Sequence, residues 1–342
     1  MAAELAVRKV ADRDEWEALF AQVAQPHLAQ SWAYGDAVAA AVDWRLRRRA
    51  LDAGGWRPQR LVFERAGAPV AICQILQKPL GRVPLAGLLD RGPLLLGPEP
   101  DIDTTRAVYT ALRAARRQFG LGLILVPALL DEPQNHELLA AAGFRPRHVG
   151  GYRSTRVDLS VDEDAMFKNL KSKWRNQYRG GMKSSPTITV SSSREDADWM
   201  VDRHIQNMRE KGFDSPEPAL VRALYEAAPD NFLVCRAVLD GESVAGLAAV
   251  MFGHAADYYI GWVSEAARKK NVNNVLFWET ALGLRRRGIR SFDLGGMRAG
   301  ATEPFKTGMG GTEYQLIHHW LAVLCPDTPP HRRCASLAPA RA

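Results

Sequence analysis

Apolar positions in this chain fall into short alternating runs, and the same series of runs occurs twice. Residues 61–76, "LVFERAGAPVAICQIL", read as strand, turn and strand, with Gly67 at the turn. Residues 233–250, "LVCRAVLDGESVAGLAAV", read the same way, and Asp240-Gly241 is a strong hairpin signal. Downstream of the first hairpin, "VYTALRAARRQFGLGLILVP" predicts a basic helix, a glycine and an apolar strand. Its counterpart after the second is "VLFWETALGLRRRGIRSFDLGG". The series then continue as "LLAAAGFRP" and "FKTGMGGTEY". Their offset of about half the chain suits a duplicated domain rather than a solenoid. Each half is therefore predicted as hairpin, helix, strand, helix or loop, and strand. That is an α/β class with mixed (α+β) sheets and helices packed against them.

Gly150-Gly151 in "HVGGYRST" interrupts the pattern, so the expected domains are 1–150 and 151–325. The last strand is left free to return to the first domain. The proline-rich end, 326–342, is expected to be a disordered tail. With 342 residues, 46% hydrophobic and 24% charged, the chain is long enough for a core in each half. No run approaches the roughly 18 apolar residues of a membrane span. The start, "MAAELAVRKVADRDEW", lacks the apolar core of a signal peptide, and a cytoplasmic location is the expectation. Cys73, Cys235, Cys325 and Cys334 show no C-x-x-C spacing, which points to reduced structural thiols and no metal site.

Charge changes the picture. The net charge is +7, and the basic residues are clumped at 44–49, 112–118, 167–183, 267–270 and 284–290. Clumped positive charge is the footprint of a protein that meets phosphate, although arginine-rich helix faces are also simply solvated. In "DAMFKNLKSKWRNQYRGGMK", Phe167, Leu170, Trp174 and Tyr178 recur at helical spacing as a buried stripe. Lys171, Lys173, Arg175 and Arg179 fall on the remaining surface, as candidate phosphate contacts for an RNA stem or another anion. Arg268, Lys269 and Lys270 are a second candidate group.

The stretch "GGMRAGATEPFKTGMGG" (295–311) sets a lone Phe305-Lys306 pair among glycines, which permit left-handed turns and close approach of another molecule. A long surface loop would account for its composition equally well. No G-x-S-x-G elbow, H-E-x-x-H, Walker loop or Rossmann fingerprint occurs elsewhere. The eight histidines are scattered, and one of His318-His319 is expected to face the core.

Several of these segments resemble known proteins. "HELLAAAGFRPR", a helix running into Gly143-Phe144 and a strand, is similar to the closing element of the GNAT acetyltransferase fold. "DYYIGWVS" (257–264), Trp278-Glu279, "SFDLGGM" (291–297) and above all "EPFKTGMGG" (303–311) resemble the FemABX family. Its members are aminoacyl-tRNA-dependent transferases best known for adding amino acids to peptidoglycan precursors. "AQSWAYGDAV" and "LDRGPLL" (89–95) extend the likeness into the first half. The resemblance implies tandem GNAT-like acyltransferase domains, with the first on the acceptor side. It further implies transfer of an amino acid from aminoacyl-tRNA to an amine, with no bound cofactor beyond that co-substrate.

The family's loop lysine meets the aminoacyl-tRNA end, and Lys306 with Phe305 occupies its place. An aminoacyl ester is already activated, so alignment, charge stabilisation and a proton route suffice. The lysine can neutralise phosphate or the forming oxyanion, and the phenylalanine can stack on the terminal adenine. Gly295, Gly296, Gly310 and Gly311 would let RNA or acceptor approach, Tyr258 matches a family tyrosine, and Glu279 is a candidate support for the lysine loop. Asp293, at a strand end, suits two roles equally: accepting the amine proton, or tying down a loop amide.

Departures from the family concern the acceptor. Where branching members keep a diphosphate-binding lysine, this chain has Asp36 and Val38. Val126 precedes Pro127 where the family has aspartate, and Lys211-Gly212-Phe213 is a candidate replacement for an arginine contact. A cell-wall precursor, a peptide and a small metabolite all stay open as acceptors. The alternative donor is acetyl-CoA. GNAT enzymes hold its pyrophosphate on a glycine-rich turn at a helix start, where bare amides bind anions. Here Asn271, Asn273 and Asn274 stand in that turn, and Asp101 and Asp103 in the first-half counterpart, which disfavours CoA. A non-catalytic RNA- or polysaccharide-associated module is the third reading.

Overall fold

Both predicted hairpins close on two residues of positive φ, Ala66-Gly67 and Asp240-Gly241, the turn whose twist matches its flanking strands. The computed structural model describes residues 5–41, 55–80, 83–98, 101–147, 149–213, 216–297 and 302–323. The basic clump at 44–49, Gly300, Cys325, Cys334 and the expected tail at 326–342 lie outside the described residues.

The first half contains strands β1 (Ala6–Val10), β2 (Arg57–Arg65), β3 (Ala68–Leu80), β4 (Val83–Asp90), β5 (Leu94–Leu95), β6 (Gly122–Val126) and β7 (Arg145–Arg147). Its helices are α1 (Arg13–Phe20), α2 (Trp32–Ala40), α3 (Ile102–Ala114) and α4 (Pro133–Ala141). The second half begins with β8 (Arg153–Asp158), α5 (Glu163–Asn169), α6 (Ser172–Met182), β9 (Thr187–Ser191), α7 (Arg194–Lys211) and α8 (Pro218–Ala227). It continues through β10 (Phe232–Leu239), β11 (Glu242–Phe252), β12 (Ala255–Val263), α9 (Glu265–Lys269), α10 (Val272–Arg286) and β13 (Ser291–Asp293). It ends with α11 (Glu303–Thr307), β14 (Thr312–Gln315) and β15 (His319–Val323).

The described strands form two sheets of matching order. One runs β1-β2-β3-β4-β6-β15-β7, with β5 on β3; the other runs β9-β10-β11-β12-β13-β8-β14. In each, one parallel pair follows a helical crossover: β4 with β6, and β12 with β13. The strand beside that pair is exchanged in chain order. Strand β15, from the end of the chain, completes the first sheet, and β8, from the start of the second half, completes the second.

Period-two burial sorts each strand between two cores. Leu61 and Phe63 face the α3–α4 side, and Leu233 and Cys235 face the α6–α10 side. Val62 and Ile72 of the first sheet, with Phe232 and Val234 of the second, share a third core with Trp16, Phe20, Met200 and Leu224 of the intervening helices. Trp16 and Phe20 are almost fully buried there, and each such side chain contributes roughly 1.5–3 kcal/mol. The two halves thus have one apolar seam, and the site lies along its edge.

Two local expectations are corrected. The predicted single helix over 164–183 is two helices, α5 and α6, with Leu170 and Lys171 extended between them. Lys171 N–H donates to the Gly308 carbonyl at 2.9 Å instead of continuing the helix. Arg175 Nη1 donates to the carbonyls of Lys168 and Leu170, at 2.8 and 2.5 Å, and caps the broken end. Leu170 and Trp174 stay buried through the break while Phe167 and Tyr178 pack at its edge, so tertiary contact overrides local propensity without moving the stripe. Secondly, neither His318 nor His319 enters the core; Trp320 does, with His318 stacked on its ring.

Candidate active site

Strand β13 is short, and its last residue, Asp293, anchors everything that follows. Its carboxylate accepts from Ser154 Oγ at 2.6 Å, Gly295 N at 2.8 Å, Tyr152 Oη at 3.1 Å and Tyr314 Oη. The donors come from the β8 strand, the segment before it, the β13 turn and β14. Of the two roles open to Asp293, this supports the tie: four donors occupy the lone pairs a base needs.

After Asp293 the chain turns at Gly295, whose φ is +76°. A Cβ there would stand 3.1 Å from the Tyr258 carbonyl, so glycine meets both a conformational and a steric demand. Lys306, on α11, then closes the turn from outside. Its Nζ donates to the carbonyls of Gly295 at 3.0 Å and Gly296 at 2.9 Å, and lies 5.4 Å from the centre of the Tyr258 ring. Only 8% of Lys306 is exposed, whereas Gly296 beside it is open to solvent. Burial pushes the ammonium down to about 8, with Asp293 pulling the other way. Lys306 is therefore not the free loop cation suggested by composition. It is a buried ammonium with two of its three donors engaged, and among the described residues none takes the third.

Phe305 packs edge-on against Phe277, ring centres 4.9 Å apart, and tilts against Trp174 at 6.0 Å. Both of these partners are core, so Phe305 offers at most one face to a base. Gly310, also at φ +76°, lies where a Cβ would collide with the Asn169 carbonyl, and Gly311 backs onto that of Arg156. These two glycines dock the loop on α5 and β8; close approach here is to the protein's own backbone. Glu279 does not support the lysine loop. It faces Tyr178 and Glu163 from α10, and burial raises its pKa.

The basic candidates separate. Lys171, Lys173 and Arg179 are exposed around the α5–α6 break, while Arg175 is used in capping it. Arg268, Lys269 and Lys270 are exposed on α9 and just after it, and Lys269 pairs with Glu265 at 2.7 Å. Lys211, in the candidate replacement for an arginine contact, joins this second group, its pKa lowered by burial and by Arg268. Asp36 pairs with Arg60 at 3.0 Å. At the start of α10, Asn271 takes a left-handed conformation and Gly181 of α6 packs on its backbone; a Cβ at 181 would stand 2.6 Å from the Asn271 carbonyl.

Four site residues went unselected in the sequence although they lie inside quoted segments: Arg91 in "LDRGPLL", Tyr152 in "HVGGYRST", Asp257 in "DYYIGWVS" and Tyr314 in "FKTGMGGTEY". Arg91 reaches across the seam from the first half. Its guanidinium stacks 3.9 Å from the Tyr152 ring centre and lies 3.8 Å from the Asp257 carboxylate. Arg156 stacks on Tyr314 and donates to Gln25 at 2.8 Å.

Comparison with solved structures defines the fold that carries these residues. The crystal structure of FemX aligns with a TM-score of 0.75 at 14% identity, over 93% of this chain and 97% of that one. The fold is the tandem GNAT fold of FemX. A tandem GNAT protein from the clavulanic acid biosynthesis pathway, solved without AcCoA, aligns at TM-score 0.53 and 15% identity over 95% of this chain and all of its own. A conserved protein of unknown function from Bacteroides thetaiotaomicron aligns at TM-score 0.58 and 13% identity, over 94% of this chain. The family model for the acetyltransferase (GNAT) domain matches residues 166–307, from α5 through the lysine turn. No curated protein matches the sequence. No described helix is long and apolar enough to cross a membrane. Within this tandem GNAT fold the second domain holds Asp293 and Lys306, and the first contributes Arg91.

Proposed function

We propose that the protein is an aminoacyltransferase that moves an amino acid from aminoacyl-tRNA to an amine and forms an amide. The observation that carries this reading is that "SFDLGGM" and "EPFKTGMGG" fold into one unit. Lys306 Nζ holds the Gly295 and Gly296 carbonyls, and Asp293 holds the Gly295 amide. Two separate motif matches thereby become a single device, at the end of the parallel strand pair. The remaining Lys306 donor sits beside exposed Gly296, positioned for a phosphate or a forming oxyanion. Lys171, Lys173 and Arg179 supply exposed charge for an RNA stem. A charged-tRNA donor places the reaction in the cytoplasm.

Acetyl-CoA is the competing donor. Against it stands the packing of Gly181 over the Asn271 turn, where a pyrophosphate would need bare helix amides. The acceptor is an amine of a cell-wall precursor, a peptide or a small metabolite; the pairing of Asp36 with Arg60 argues for one that lacks a diphosphate at that point. The test is incubation with charged total tRNA and the amine pool of a cell extract, followed by mass spectrometry. A new amide dependent on charged tRNA is expected. No amide, together with a thermal shift on adding acetyl-CoA, overturns the donor assignment.

A further inference from the structure

Strands β12 and β13 run parallel and place Asp257 directly opposite Asp293 in register. Register partners on parallel strands project to the same face. Neighbouring side chains identify that face. Ala256, Tyr258 and Phe292 pack on the α6–α10 side, whereas Ala255 and Tyr259 pack on the side of the first half. The two carboxylates therefore look toward the first half, and Lys306, over Tyr258, approaches from the other side. The pairing ends at Asp257–Asp293, because β13 stops there and the chain turns at Gly295.

The two aspartates are not equivalent. Asp293 is filled by four donors, but among the described residues no hydrogen bond reaches the Asp257 carboxylate, and its ion-pair partner is Arg91 at 3.8 Å. The Asp257 side chain keeps 14% of its surface exposed and that of Arg91 20%, so a small group can reach both. We propose that Asp257 is the proton acceptor for the attacking amine, with Arg91 as its positioning partner.

This rests on the aminoacyl-transfer reading and adds the missing base to it. Donor and acceptor meet across the gap where β12 and β13 part: the ester on the Lys306 side, the amine on the Asp257 side. The amine nitrogen attacks the ester carbonyl carbon, a C–N bond forms, and the carbonyl electron pair moves onto oxygen. The ammonium proton passes to Asp257. Collapse of the oxyanion breaks the bond to the ribose oxygen, which takes that proton back from Asp257 and leaves as the tRNA hydroxyl. The carboxylate is regenerated, and charge and protons balance.

Basicity fits the task. Burial and the charge of Asp293 push the Asp257 carboxyl up to about 7, against the pull of Arg91 and Arg156. Tyr152 and Tyr259 also face it, neutral, their own pKa values raised chiefly by burial and further by carboxylate charge. A base poised near neutrality is best matched to proton transfer at physiological pH.

The experiment compares wild type, Asp257→Asn and Arg91→Met in single-turnover transfer from charged tRNA across pH 5.5–9, with tRNA affinity measured alongside. For Asp257→Asn we expect unchanged tRNA affinity, a rate loss of about 100-fold or more and disappearance of the acidic limb of the pH profile. For Arg91→Met, which keeps the base but removes a cation, the limb is expected to move to higher pH. That second variant decides the matter should Asp257→Asn fail to fold, since an unmoved limb overturns the assignment. An active wild type with Asp257→Asn equally fast and its limb intact overturns Asp257 alone. A wild type that forms no amide from any charged tRNA overturns the donor reading and this assignment together.

Discussion

The two sheets end their parallel pairs in the same way but with different residues across the ladder. In the first half Asp90 stands opposite Val126; in the second, Asp257 stands opposite Asp293. Topology, strand order and the helical crossover are shared, so the contrast across the ladder itself is Val126 against Asp293. Beside Val126, Asp90 has its pKa raised by burial, and only Arg91 and His319 oppose that. Beside Asp293, Asp257 meets a second carboxylate, which adds to burial in raising the pKa of Asp257. Under the proposal for Asp257, a duplicated fold acquires chemistry in one copy through a like-charge pair, while the other copy supplies the cation, Arg91, that reaches over the seam.

The comparison is broken most severely at its anchor. Asp293→Ala leaves two tyrosine hydroxyls and a loop amide without their acceptor in a largely buried site, and Ser154 Oγ with only the Gly295 carbonyl at 2.8 Å. A loss of about 3–5 kcal/mol is expected, the scale for removing one partner of a buried charged network. Asp90→Ala orphans no such set and should cost about 1 kcal/mol, the ordinary value for a point change. Urea unfolding of both variants gives the contrast directly. Equal losses would show that the two strand ends are energetically alike.

A smaller effect is expected where Lys306 meets the loop. Lys306→Met keeps the stem's length and apolar contacts but removes the donors to Gly295 and Gly296 and the charge beside them. Transfer should fall by about 100-fold, the scale for one preorganised donor at a developing oxyanion. In the wild type the ammonium titrates near 8, so the rate should also decline as pH rises through that value. Together with Asp257 this predicts a bell-shaped profile, its acidic limb set by the aspartate and its basic limb by Lys306. A rate still climbing at pH 9 would remove Lys306 from the chemistry.

Much of this architecture was legible in the residues. Alternation and Asp240-Gly241 give the hairpins, recurring segments give the duplication, and the place of the lysine turn comes from its resemblance to a family loop. What escaped was whatever depends on two distant segments meeting. The break between α5 and α6 is made by the Gly308 carbonyl, which lies far along the chain from Lys171, so helical periodicity runs straight through it. The burial of Lys306 is likewise set by Tyr258 and by two carbonyls, and glycine-rich composition points instead to exposure. In the sequence Asp257, beside Tyr258, resembles any strand aspartate; only the register with β13 sets a carboxylate against it. Arg91 is similar, for a lone arginine at a strand end acquires meaning only when the other half of the molecule arrives.

The gentlest probe of the contrast is stability against pH. An aspartate whose folded pKa is near 7, against about 3.9 in the unfolded chain, binds more protons when folded throughout the interval between. Unfolding there releases protons, so this group's contribution to stability falls as pH rises from about 4 to 7 and then levels off. Asparagine at 257 does not titrate and escapes that decline. Asp257→Asn should therefore melt close to wild type at pH 5, where the carboxyl is neutral, and above it at pH 8, where wild type holds two adjacent charges. Each kcal/mol relieved corresponds to roughly 2–4 °C in a domain of this size. Asp90→Asn, with no carboxylate across the ladder, should show the same trend at lower amplitude, because burial alone raises it. A melting difference for Asp257→Asn that stays flat from pH 5 to 8 would mean the two carboxylates do not sense each other. The second sheet's strand end would then be no more reactive than the first.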